Sequence, residues 1–300
     1  MPLNADFLHN RGFCHRRLAR YEDAIADYSA ALRVDPRHFK ALFNRAFAHD
    51  KLGQFDAALA DYGAAVALDG ASASAFHNRG STLDRLGRRE EALADFDSAL
   101  HLAPRSASSR NSRGLVLDQL GRHTDALRDF GAAVELEPQN AVFVHNRGFC
   151  FRNLGDYSSA LDDYTKALRL EPNSTSALNN RGYALRKLGR FCDAIADYTA
   201  VLQALKADAQ GPLEHQGAEQ RTTAVKTYNN RAFSHAKLGH FDAAIADYSR
   251  VIALDPTNSH AYHNRGISYD KMGQAERAID DFSQVLKLEP PRPASVDAPS

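Results

Sequence analysis

Apolar and polar residues follow a helical period along this chain, in short stretches that break at a constant spacing. The segment HAYHNRGISYDKMGQAERAIDDFSQVLKLEP, residues 260–290, shows one unit of the pattern. Its first half predicts a helix ending near Gly273, and its second half a helix that stops before Pro290. A residue preceding proline avoids the helical region, which sets the second boundary. Glycine recurs at the midpoint as Gly53, Gly87, Gly121, Gly155, Gly189, Gly239 and Gly273, with Ala19 in that place in the first unit. Glycine there suits the left-handed turn that ends a helix. Small residues stand where two helices would touch: Gly12, Ala46 and Gly80 on the first helix, Ala24, Ala58 and Ala92 on the second. Leu18, Ile25, Tyr28 and Leu32 are expected to fill the other buried places of the first unit. Such a hairpin cannot bury its apolar faces alone and must stack on neighbours.

The spacing makes the stack explicit. HNRGFC occurs at residues 9–14 and again at 145–150, 136 residues on, which is four periods of 34. The arginine of Asn-Arg recurs as Arg11, Arg45, Arg79, Arg113 (after Ser112), Arg147, Arg181, Arg231 and Arg265. A sustained period of this size marks an array of repeats. Eight repeats are expected, at 5–38, 39–72, 73–106, 107–140, 141–174, 175–208, 225–258 and 259–292. An insertion at about 209–224 separates the sixth from the seventh and can extend both adjoining helices, with Gly211-Pro212 through Gly217 as the loop. The Pro-rich tail 293–300 is expected to be disordered.

The order small residue, Leu-Gly, aromatic, Ala, aromatic is seen in Gly182, Leu188-Gly189, Phe191, Ala194 and Tyr198. With the 34-residue period, it resembles the tetratricopeptide repeat family over about residues 5–292. Three features depart from that family: the chain has no Trp, Gly70 replaces a terminal proline, and Arg stands just before the small residue in all eight repeats. The resemblance implies an all-α fold, a right-handed superhelical solenoid of antiparallel helix pairs. It also implies that the first helices line a concave surface that binds proteins.

Two ladders run through the repeats. An aspartate follows each arginine by sixteen residues, from Asp27 and Asp61 to Asp247 and Asp281. At about 100° per residue, Arg11 projects toward the second helix. The simplest reading of these pairs is a staple between the two helices of a hairpin. The asparagines Asn10, Asn44, Asn78, Asn146, Asn180, Asn230 and Asn264 lie about 100° round, away from the hairpin interior. A carboxamide offers both donor and acceptor and so matches a peptide group. The resemblance places this row in the groove, where it is similar to the Asn ladder of the O-GlcNAc transferase repeat region, which grips an extended peptide backbone. The carboxamides are then expected to be largely free of intramolecular partners. The other reading is that they bridge neighbouring first helices with no ligand. Arg152, Arg186, Lys187 and Lys237 flank the row and favour an acidic segment. The carboxylate clamp of chaperone-tail receptors is not matched, because His9 and Phe13 occupy its Lys and Asn places.

Composition narrows the field. Lys plus Arg and Asp plus Glu both number 37, so global charge makes no case for nucleic acid or an anionic membrane. Neither apolar runs nor the start MPLNADFLHN suggest a membrane span or a signal peptide. Cys14, Cys150 and Cys192 are read as free thiols of a cytoplasmic protein. Neither a phosphate-binding loop nor a nucleophile elbow is present. His9, His77, His145 and His263 lack the close spacing of metal ligands. The sequence therefore predicts a non-catalytic scaffold without cofactor or metal, binding a protein or peptide in the groove. An architectural array that self-associates through uncapped ends, or the targeting module of a larger enzyme, are the alternatives.

Overall fold

The computed structural model describes residues 4–207 and 217–288, excluding the side chains of 206 and 207. Among the described residues the chain forms sixteen α-helices and no strand. They run in pairs: α1 (Ala5–Arg17) with α2 (Tyr21–Val34), α3 (Phe39–Lys51) with α4 (Phe55–Leu68), α5 (Ala73–Arg85) with α6 (Arg89–Leu102), and α7 (Ala107–Gln119) with α8 (His123–Leu136). Next come α9 (Ala141–Leu154) and α10 (Tyr157–Leu170). The remaining pairs are α11 (Thr175–Lys187) with α12 (Phe191–Ala207), α13 (Ala218–Lys237) with α14 (Phe241–Leu254), and α15 (Ser259–Lys271) with α16 (Ala275–Leu288).

Local chemistry sets these boundaries. Asn4, His38, Ser72, Ser106, Ser174 and Asn258 each precede a first helix and accept from an amide of its first turn. That satisfies donors the helix itself leaves unpaired. The first helices then reverse through the midpoint glycines, whose φ lies between 72° and 83°. Ala19 adopts the same conformation at φ 55°, and the Arg20 amide still donates to the His15 carbonyl at 3.0 Å. Within each unit the small residue of a first helix meets the aromatic sixteen places on. A methyl group on Gly182 would stand 2.8 Å from Tyr198 Cε1, and one on Gly12 2.8 Å from Tyr28 Cε1. These tyrosines are fully buried, so this contact determines how closely the two helices of a hairpin approach.

The described helices fall into two compact units, residues 1–154 with α1–α9 and residues 155–300 with α10–α16. Within each unit, a second helix packs against the first helix of the next pair. First helices also touch one another, α1 with α3, α3 with α5, α5 with α7 and α7 with α9 in the first unit, and α11 with α13 and α13 with α15 in the second. They form one contiguous layer in each unit. Around the insertion, α12 is 17 residues long where α10 and α14 are 14, and α13 is 20 where α11 and α15 are 13. Residues 218–224 of the expected insertion are therefore helical. Its remainder through residue 216, like the tail 293–300, lies outside the described residues.

Candidate functional site

The arginine ladder is built as a staple. Arg231 Nε donates to Asp247 Oδ2 at 2.8 Å and Nη2 to Oδ1 at 2.7 Å. The same two-pronged contact joins Arg11 to Asp27, Arg45 to Asp61, Arg79 to Asp95, Arg113 to Asp129, Arg181 to Asp197 and Arg265 to Asp281. All seven aspartates are buried. Hydrogen bonding to Asp247 lifts the Arg231 pKa further above its ordinary value. A third prong is not foreseeable from the spacing. Nη1 reaches the second helix of the preceding repeat: Arg45 to Ser29 at 3.0 Å, Arg113 to Asp97 at 2.6 Å, Arg231 to Thr199 at 3.0 Å and Arg265 to Ser249 at 2.9 Å. Each of these arginines ties three helices, with all three guanidinium nitrogens donating within the fold.

The asparagine row lies on the first-helix layer, and its expected freedom needs correcting. Asn44 is buried and its amide donates to His9 Nε2 at 2.9 Å. Asn146 donates to Asn111 Oδ1 at 2.9 Å. Asn10 Oδ1 lies 3.2 Å from His9 Nδ1, and Asn180 is also engaged. Among the described residues, the carboxamides of Asn78, Asn230 and Asn264 take no side-chain partner. Asn44 and Asn146 each bridge backward to a polar side chain 35 residues before them, His9 and Asn111, whereas Asn264 has Asn229 at that spacing and makes no such bridge among the described residues. Asn78 has Phe43 at that spacing and nothing to bond.

The His9 contacts require a neutral ring, with Nδ1–H donating to Asn10 and Nε2 accepting from Asn44. Burial holds the His9 pKa below its usual 6.5, and burial lowers His77 and His235 too. As pH falls, the unfolded chain takes up these protons first, so their stabilising contribution is complete above about pH 6.5 and declines as pH drops toward the folded-state values. The array is expected to melt at a lower temperature at about pH 5.5 than at about pH 7.5, and His9→Gln is expected to narrow the difference. Melting curves of the two proteins at the two pH values check this.

Cations sit on aromatic rings along the same layer. In the second unit, the Arg186 guanidinium lies 5.0 Å from the centre of the Tyr183 ring and 4.8 Å from that of Phe233, on the next first helix. Lys187 lies 5.7 Å from the Tyr183 ring centre and Lys237 5.3 Å from that of Phe233. Three of the four flanking cations expected from the sequence thus form one cluster. Arg152, 4.1 Å from the Phe149 ring centre, belongs to α9 of the first unit. Among the described residues, no carboxylate pairs with Arg186, Lys187 or Lys237. The first unit differs: Asp50 neutralises Arg85 of the following repeat and accepts from Thr82 at 2.9 Å. Asp84 beside it is half-buried, and burial raises its pKa.

A group that the sequence does not bring together lies on α7, α8 and α9. Asp118, His123 and Cys150 offer ligand atoms within 4.8 Å of one another. Burial, with Asp118 adjacent, raises the Cys150 pKa. Cys14 and Cys192 are exposed free thiols.

The chain matches the tetratricopeptide repeat family over residues 5–38, 39–72, 77–141, 145–174, 225–258 and 248–280. It is a tetratricopeptide repeat protein. The structure carries the hairpin and its arginine staple through residues 175–207 as well. This tetratricopeptide repeat protein is similar to the C-terminal part of a repeat protein from Cytophaga hutchinsonii, at TM-score 0.65 and 18% identity over 87% of this chain and 97% of that one. It is also similar to a tetratricopeptide repeat protein from Parabacteroides merdae, at TM-score 0.61 and 18% identity over 88% and 98%. A third likeness is MamA from Desulfovibrio magneticus, at TM-score 0.54 and 21% identity over 61% and 94%. At these identities the likeness is one of fold. No curated protein matches the sequence. Among the described residues, no helix is long and apolar enough to cross a membrane.

Proposed function

We propose that the first-helix layer of this tetratricopeptide repeat protein is a groove that holds an extended acidic segment of a partner protein, without catalysis, in a cytoplasmic setting. One observation carries the reading: Arg186, Lys187 and Lys237 stand together on rings, with no carboxylate to neutralise them among the described residues. A cation over an aromatic face keeps its charge available to a second, anionic partner. Beside the cluster, Asn230 and Asn264 present open carboxamides suited to a peptide backbone. Asn78 could do the same on the first unit. Asn44, buried against His9, would then be structural rather than ligand-binding.

Extended peptides selected from a display library by the full chain are expected to be rich in Asp and Glu. Asn230→Ala with Asn264→Ala should weaken each recovered peptide by about 1–3 kcal/mol, at roughly one net hydrogen bond per residue, with melting unchanged. Recovered peptides with no acidic bias, bound equally by the double variant, would sink the groove reading.

A second reading has its own support. Ile279 and Leu286 on α16 are 62% and 67% exposed, while the equivalent Ile245 and Ile252 of α14 are half-buried. Phe7 and Leu18 of the first repeat are exposed as well. Exposed apolar side chains of this kind favour self-association. A Leu286→Glu variant that abolishes oligomers yet leaves peptide binding intact would assign the two roles to different surfaces.

A further inference from the structure

Three ligating side chains outside the peptide surface meet on the first unit. Asp118 lies at the end of α7, His123 opens α8 and Cys150 lies on α9 of the following repeat. His123 Nδ1 stands 2.7 Å from Asp118 Oδ1, the Asn153 amide donates to Asp118 Oδ2 at 2.8 Å, and Cys150 Sγ lies 3.5 Å from the His123 carbonyl oxygen. Cys150 is fully buried and Asp118 nearly so, while His123 is partly open to solvent. The equivalent place two repeats earlier shows what the fold itself requires. There Thr82 donates to Asp50 at 2.9 Å, and Phe55 stands where His123 does. A hydroxyl, a carboxylate and an apolar ring are enough to join the hairpin to the next first helix. Around Asp118 both of these positions carry metal-ligating side chains instead, Cys where that repeat has Thr and His where it has Phe.

We propose that Asp118, His123 and Cys150 bind a divalent cation of the zinc class, which would clamp α7, α8 and α9 together. Sulfur, imidazole nitrogen and carboxylate are the donors such an ion prefers. Zinc would hold them about 3–4 Å apart, so donors already within 4.8 Å need only small side-chain movements. On binding, the Cys150 thiol releases its proton to solvent and sulfur bonds the ion. The His123 ring carries its proton on Nε2, and Nδ1 gives its lone pair to the metal. The hydrogen bond between Asp118 and His123 is replaced by two bonds to one ion. Water or the Asn153 carboxamide completes a four-coordinate site.

The test uses the full chain with Cys14→Ser and Cys192→Ser, so that the exposed thiols do not compete. Titration with Co2+ is expected to saturate at one equivalent and give a near-ultraviolet thiolate-to-cobalt band. Zn2+ should displace the cobalt and raise the melting temperature. Cys150→Ser should abolish the band, and His123→Asn, at a partly open position, should weaken zinc binding by about 10-fold or more. If Cys150→Ser fails to fold, His123→Asn decides. Absence of the band at one equivalent, or zinc binding undiminished in His123→Asn, would overturn the proposal.

Discussion

Arg231→Ala is expected to destabilise its hairpin by about 3–5 kcal/mol, because it strands Asp247 as a buried carboxylate. Asp247 is 6% exposed and receives both prongs of the guanidinium. The loss extends beyond one hairpin, since Arg231 Nη1 also holds Thr199 on α12. The expectation concerns removal of one partner. A buried pair need not exceed the stability of well-packed apolar residues in the same space. Arg231→Lys should recover only part of the loss, because an ammonium cannot reproduce the two parallel bonds. Lys226→Ala, on the exposed side of α13, should fall within about 0.5 kcal/mol of the parent. Repeat arrays can open segment by segment, so amide exchange along α13 and α14 reports the loss better than a single melting temperature. Equal exchange in Arg231→Ala and Lys226→Ala would show that the ladder is dispensable.

Lys187→Glu with Lys237→Glu is expected to weaken an acidic peptide by about 100-fold, since two attractions become two like-charge contacts. Both side chains are exposed, and neither carries a structural ion pair among the described residues. The fold should therefore be unaffected. Raising the salt from about 0.05 M to about 0.5 M should weaken the parent's binding and have little effect on what remains in the double variant. Titration calorimetry with one acidic peptide and its amidated counterpart checks both statements. Unchanged affinity after the double reversal would remove the cluster from the binding surface.

Much of the fold is legible in the sequence alone. The 34-residue period and the midpoint glycines specify paired helices, and the glycines do occupy the left-handed turn. The Arg–Asp staple is readable because sixteen residues span one hairpin, so its partners follow from helix geometry and a single turn. Contacts between repeats are not. Asn44 meets His9 across 35 residues, and Arg231 meets Thr199 across 32. Such pairings depend on how one hairpin settles on the next, which local periodicity does not encode. The asparagines look equivalent in the sequence, yet Asn44 and Asn146 bridge to the repeat before them while Asn264, with Asn229 at the same spacing, does not among the described residues. Asp118, His123 and Cys150 escape for a related reason: their spacings of 5 and 27 resemble no compact ligand motif, and only stacking brings α9 onto the turn between α7 and α8.

The central claim is that the first-helix layer receives an acidic extended segment. It is tested most directly by photo-cross-linking from within that layer. Ile267, three residues after Asn264 and 39% exposed, occupies the place held by Phe233 one repeat earlier. A benzophenone side chain there, with a control at the exposed Arg250 on α14, would be irradiated in extract from the source cells. The account predicts that Ile267 captures acidic peptide segments, that excess salt or Lys187→Glu with Lys237→Glu suppresses the capture, and that Arg250 captures none of them. Cross-links to acidic segments from Arg250 alone, or from neither position, would contradict it.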